Sequence, residues 1–278
     1  MRIKYSLLPK LRNLSNREMD FFLSIARYQD ITGKVPGVHN KDICRKTGMC
    51  KQSFYTVMRS LQHKGIITAV STGNADYDIQ IRNNDFSYEG AFREGYVNLH
   101  RQVFHSRAFQ KLKANEKYLL FEFLKRTHEN SSSYHVGTKN FYHIFTEMLG
   151  VTKRVVRYYL HSLRHFFAVG IKDGQYWITY KRSLFSAAEE KGVEEQEFEY
   201  FVEVNCRRHK LEYSQGSLHD TAWLLKQYRI RYRDNGEPLA RLKNDLAACI
   251  QRSAEKGSKL LNAAHVHVLL KETMETAF

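Results

Sequence analysis

Apolar and polar positions along this chain follow two periods, and their alternation divides the first two-thirds into two similar stretches. Met19, Phe22, Leu23 and Ala26 fall at i, i+3, i+4 and i+7, one face of a helix predicted over 16–28. Ser15, with Glu18 three positions on, has the form of a capping box at its start. A short helix is predicted over 40–47, closed by Gly48, and a longer one over 51–64, closed by Gly65. Residues 66–70 then read as a strand, 71–74 as a turn and 77–81 as an alternating return strand.

The same order recurs. Tyr118, Leu119, Phe121, Phe123 and Leu124 mark a helix over 115–128, followed by a polar loop at 130–133. A second helix spans 139–149 and ends at Gly150, and a third spans 152–165. Residues 169–172 lead through Asp173-Gly174, a strong two-residue hairpin signal, into a strand over 175–180. The copies share a frame: Gly48 lies 13 residues before Leu61 and Gly150 lies 13 before Leu163. Counting back from those leucines, Met58, Val57 and Phe54 match Leu160, Tyr159 and Val156 as one continuous apolar face. The second copy lacks a glycine where the first has Gly65, so its third helix is expected to run longer.

Short helix, glycine, third helix and then Leu-x-x-x-Gly-Ile, as at Leu61-Gln62-His63-Lys64-Gly65-Ile66, resembles the winged-helix family of bacterial DNA-binding proteins. The resemblance covers residues 14–182 as a tandem. It implies a mainly α fold with small β-hairpin wings: two winged helix-turn-helix domains at 1–82 and 96–182, a linker at 83–95, and an all-α domain at 183–278. In that last third, helices are predicted over 193–210, 218–231, 237–252 and 258–276, with Pro238 at an early helical position. Leu239, Leu242, Leu246, Cys249 and Ile250 form one apolar stripe, and Leu260, Leu261, Ala264, Val268 and Leu269 another. The stripes either pack on each other or join two copies of the chain as a homodimer.

Charge sharpens this picture. The chain has 278 residues, 44 Lys and Arg against 29 Asp and Glu, a formal net charge of +15. Residues 1–82 carry 14 basic and 6 acidic side chains and residues 83–182 carry 16 and 8, whereas residues 183–278 carry 14 and 15. A surplus confined to the two repeats suits modules that bind a polyanion. Glu189, Glu190, Glu194, Glu195, Glu197, Glu199 and Glu203 form an acidic stretch expected to lie away from phosphates.

With the apolar face inward, the first third helix presents Lys51, Gln52, Ser53, Tyr55, Thr56 and Arg59, and the second presents Lys153, Arg154, Arg157, Tyr158 and His161. Gln and Arg match base edges in a major groove, here Gln52, Arg59, Arg154 and Arg157; Ser, Thr and Tyr reach phosphates. Lys51 and Lys153 stand at helix N-termini and suit phosphate. Lys172, Lys181 and Arg182 flank the second hairpin, whereas the first tip is uncharged. Arg229, Arg231, Arg233 and Arg241 are a further basic group that can extend the footprint. Double-stranded DNA is the expected partner, transcriptional regulation the leading role, and action without catalysis the expectation. Alternatives are a plasmid or phage replication initiator on origin repeats, and a platform that binds proteins.

Enzyme signals are weak. His161-Ser162-Leu163-Arg164 resembles the His-x-x-Arg box of tyrosine recombinases, but that family's Leu-Gly-His box is missing and a hairpin accounts for residues 169–180. No phosphate-cradling Gly-rich loop and no His-Glu-x-x-His occurs, so no cofactor or metal is expected. Cys44, Cys50, Cys206 and Cys249 lack metal or disulfide spacing and read as reduced thiols packed in helices. No apolar run has membrane-spanning length and the start lacks a secretory pattern, so a cytoplasmic protein is expected.

Overall fold

The computed structural model describes residues 1–99, 103–104, 106–129, 132–181 and 193–277. It is a mixed α and β structure with small antiparallel sheets, in two compact units, Met1–Glu189 and Glu190–Phe278. Among the described residues, no helix is long and apolar enough to cross a membrane.

The first unit begins with β1 (Arg2–Lys4), α1 (Leu8–Leu11) and α2 (Asn16–Ala26), then β2 (Lys34–His39), α3 (Asn40–Thr47), α4 (Lys51–His63), β3 (Ile67–Gly73) and β4 (Asp76–Ile81). After β5 (Tyr96–Asn98) and α5 (Arg107–Gln110), that order returns as α6 (Ala114–Glu129), β6 (Ser133–Gly137), α7 (Thr138–Leu149), α8 (Lys153–Leu163), β7 (Phe167–Lys172) and β8 (Gln175–Tyr180). Each copy has a three-stranded sheet with the last strand central, ordered β2-β4-β3 and β6-β8-β7.

Local chemistry sets these boundaries. Ser15 caps α2 by accepting from the Glu18 amide, while the Glu18 carboxylate accepts from the Ser15 amide at 2.7 Å. Gly48 and Gly150, at φ +70° and +61°, end α3 and α7 in the left-handed conformation that a side chain resists. In α4, Phe54, Val57, Met58 and Leu61 are buried, with Phe54 against Phe21 of α2 at 5.4 Å between ring centres. In the second copy Val156, Leu160 and Leu163 of α8 are buried, and Phe123 of α6 meets Phe145 and Phe167 at 5.4 Å each.

Several sequence expectations change. The third helix of the second copy does not run longer: α8 ends at Leu163, because Phe166 and Phe167 turn inward and are fully buried. β2 and β6 add to the expected order; each borders the central strand of its sheet, and β2 carries Pro36 and an irregular register between Val35 and Val38. The first hairpin turns later than expected, at Asn74-Ala75, since β3 continues three residues further, through Gly73. The 83–95 stretch, expected to be a linker, carries buried Asn84, Phe86 and Ala91, and Asn84 Nδ2 donates to the Arg2 carbonyl at 3.0 Å.

The two copies are joined inside the first unit by polar contacts between their leading helices. Asn16 Oδ1 accepts from the Ala114 amide at 2.7 Å, and Lys117 on α6, 6% exposed, pairs with Asp20 on α2 at 2.5 Å. Arg12 donates to the Glu147 carbonyl at 2.9 Å.

The second unit contains α9 (Val193–Arg208), α10 (Gln215–Asp234), α11 (Leu239–Glu255) and α12 (Ala263–Ala277) around one core. Leu242, Leu246, Cys249 and Ile250 form the inner stripe of α11, with Leu239 packed against it, and Pro238 is its N-cap rather than a helical residue. The last stripe differs from expectation: Leu261, Val266, Leu269 and Leu270 face inward, whereas Leu260 and Val268 are exposed. The helix begins five residues later than expected, at Ala263, so Leu260 and Leu261 lie outside it. Among the cysteines, Cys206 and Cys249 are buried free thiols, but Cys50 is exposed and is the N-cap of α4, outside any helix interior.

Candidate nucleic-acid interface

The outward faces of α4 and α8 collect the basic and polar groups that their buried faces exclude. On α4, Lys51, Gln52, Thr56 and Arg59 are exposed. Ser53 is half-buried and its hydroxyl accepts from Arg17 at 3.2 Å, so a cation from the start of α2 joins this face. Sequence reasoning misses Arg17, which reads only as a polar residue of the first turn of α2. An open cleft of about 500 Å³ lies between the two helix starts, lined by Ser15, Arg17, Gln52, Ser53 and Thr56 among others.

Tyr55 departs from its expected role. It is half-buried, its ring meets Phe54 at 5.2 Å and Tyr77 at 6.4 Å, and its hydroxyl accepts from Asn40 Nδ2 at 3.4 Å. Its polar tip is engaged within the fold.

On α8, Lys153, Arg154, Arg157, Tyr158 and His161 are all exposed, Tyr158 by 61%. The Tyr142 and Tyr176 hydroxyls share a 2.7 Å hydrogen bond, and the Tyr142 phenol raises the Arg157 guanidinium. Burial works to raise the Tyr142 phenol, but the bonds from Tyr176 and Arg157 outweigh it and leave Tyr142 lowered. Tyr176 is pushed up to about 12 by burial and by its bond with Tyr142.

The second hairpin divides its basic residues. Lys172 is exposed at the end of β7 beside the turn at Asp173-Gly174. Lys181 is also exposed, yet its Nζ donates to the Arg164 carbonyl at 2.8 Å and so closes the C-terminal end of α8. Arg182, Glu189 and Glu190 lie outside the described residues. The end of the first hairpin, from Ser71 to the turn at Asn74-Ala75, carries no charged residue, and Ser71 to Asn74 are exposed. His161 and Arg164 of the His-x-x-Arg box are both exposed, at the end of α8.

The basic group of the second unit is largely paired. Arg229 meets Glu194, Arg241 meets Asp245 at 3.3 Å, and Arg233 meets Asp234 at 3.4 Å. Glu195 and Glu199, one turn apart on α9, converge on His219 of α10, whose Nδ1 is 3.6 and 3.0 Å from their oxygens. That trio has ligand types a metal ion accepts, and no sequence spacing announces it. Its distances equally suit an ion pair with a protonated imidazole.

No family model, curated protein or solved structure matches this chain.

Proposed function

We propose that the chain is a sequence-specific double-stranded DNA-binding protein, each repeat of its first unit acting as a winged helix-turn-helix with α4 or α8 in a major groove. The observation that carries this reading is the repeated partition of the third helix: apolar residues packed inward, and Lys and Arg exposed on the opposite face in both copies, with Gln52 beside them in the first. A helix of this kind fits the major groove, where side chains can reach both phosphates and base edges. The +8 surplus of 14 basic over 6 acidic residues in 1–82, matched by 16 over 8 in 83–182, supplies the sequence-independent part of the affinity.

Two such heads in one chain call for a long target or two unlike half-sites, and transcriptional regulation is the role that suits it. Binding proceeds without catalysis, and self-association through the second unit would add affinity by effective concentration. Genomic fragments captured by the full-length protein and sequenced test the reading. A single operator overlapping a promoter supports a regulator, clustered direct repeats support a replication initiator, and capture of no enriched sequence contradicts specific binding.

A further inference from the structure

Along α9 the acidic side chains sort by partner. Glu194 meets Arg229 and Glu197 meets Lys243, whereas Glu195 and Glu199 turn to the imidazole of His219 on α10. Residues four apart lie one above the other on a helix, so both carboxylates reach one point on the facing helix. The backbones around that point are fixed. Phe198 and Val202 of α9 and Leu218 and Ala222 of α10 share one buried core, and the capping box at Ser214 sets the start of α10 just before His219.

The charge balance at this point asks for a cation. The side chains of Glu195 and Glu199 are only 19% and 13% exposed. Two like charges held together, with most of their water removed, are costly unless a positive charge lies between them. A neutral imidazole nitrogen offers one N–H or one lone pair, so His219 Nδ1 satisfies one carboxylate at a time. An imidazolium sets one charge against two. A divalent ion neutralises both carboxylates and accepts the nitrogen lone pair.

The geometry fits such an ion. The three ligand atoms all lie within 4.8 Å of one another, with Nδ1 at 3.6 and 3.0 Å from the Glu195 and Glu199 oxygens. Metal–ligand bonds of about 2.0–2.2 Å in a tetrahedron put neighbouring ligand atoms about 3.3–3.6 Å apart. Only small rotations of the side chains separate the trio from that arrangement. One imidazole with two carboxylates is a ligand set for Zn²⁺ and its transition-metal neighbours, whereas Mg²⁺ and Ca²⁺ take oxygen ligands.

We propose that Glu195, Glu199 and His219 bind one divalent transition-metal ion of the Zn²⁺ class between α9 and α10, with a fourth position open to water. The site lies wholly within the second unit and stands independently of the DNA-binding reading. By joining two helices of the folded state, the ion stabilises that unit.

The test uses the full chain, stripped with a chelator and dialysed, then titrated with Zn²⁺ against a chromophoric competitor. One Zn²⁺ per chain is expected, with a rise in melting temperature. Glu195→Gln, Glu199→Gln and His219→Gln should each lose at least about a hundredfold in affinity, the upper end of what losing an outer-shell partner costs. His143→Ala, which removes an exposed histidine paired with Glu147 in the first unit, should bind as the wild type does. A second readout needs no change to the ligands. The chain has two tryptophans, and the Trp223 ring lies 6.1 Å from the His219 ring. In Trp177→Phe, Co²⁺ should therefore quench Trp223 emission, saturating at one equivalent. A stripped chain that takes up no Zn²⁺ overturns the proposal and leaves the trio an imidazolium ion pair. Uptake unchanged in the three glutamine variants, or Trp223 emission indifferent to Co²⁺, also overturns it, the bound metal then being adventitious.

Discussion

At the residue scale, Glu18 shows how one side chain can carry both a cap and a tertiary link. Its carboxylate, 7% exposed, accepts from the Ser15 amide and the Ser60 hydroxyl and pairs with Lys64 at 2.7 Å. Burial alone would raise its pKa; the bonds from Lys64, Ser60 and Ser15 overcome that and hold it at about 2. A carboxyl depressed on folding stabilises the folded state above its unfolded value, and that contribution fades as pH falls from the ordinary range near 4.5 toward 2. Glu18→Gln should therefore cost about 2 kcal/mol at pH 7 in urea unfolding and narrow its difference from wild type by pH 3. A constant difference across that range would contradict the assignment. On the binding side, Arg154→Ala with Arg157→Ala should weaken specific DNA binding by about one and a half to four orders of magnitude, about 1–3 kcal/mol for each of the two lost contacts, with circular dichroism unchanged. Equal affinity for the double variant would refute those contacts.

At the element scale, the helix-closing glycines separate backbone strain from packing. Around Gly48 and Gly150 no atom lies within 4 Å of an added Cβ, so alanine there meets no steric clash, only the left-handed backbone. Gly48→Ala and Gly150→Ala should each cost about 1 kcal/mol, read as similar falls in melting temperature. Phe54→Ala, which empties a buried ring site, should cost about 3–5 kcal/mol. If the glycine variants cost as much as Phe54→Ala, the turns hold more than a backbone conformation.

These elements also show what can be read from residues alone. The capping box at Ser15, both glycine stops, the apolar faces of α4 and α8 and the Asp173-Gly174 turn are local signals, and each stands where its pattern puts it. β2 and β6 escape because short border strands carrying Pro36, Gly37 or His135 keep no clean alternation. Helical geometry puts Tyr55 on the outward face and cannot register that Tyr77, from a strand more than twenty residues later, covers it. Likewise the Arg17–Ser53 and Tyr142–Tyr176 bonds depend on contacts between elements distant in sequence.

At the scale of the whole molecule, charge is segregated by unit. The first two-thirds carry the entire surplus, while residues 183–278 carry 14 basic and 15 acidic side chains, several paired with one another. If the repeats together meet about six phosphates, the logarithm of the binding constant should fall with the logarithm of salt at a slope near −5. Fluorescence anisotropy across 50–200 mM salt reads this, and a flat dependence would point instead to a protein-binding platform. The second unit leaves Trp223, Ile230 and Val268 exposed, between 42% and 56%. Sedimentation equilibrium should find a dimer if this surface joins two chains; a monomer at micromolar concentration would remove self-association from the account.

The most direct measurement is a protection footprint on a captured genomic fragment at modest ionic strength, comparing the wild type with separate charge-reversed faces, Lys51→Glu/Arg59→Glu and Lys153→Glu/Arg157→Glu. Two protected stretches about one duplex turn apart are expected, one vanishing with each variant. A single stretch unaffected by either variant, or no protected base at all, would contradict a grip through both third helices.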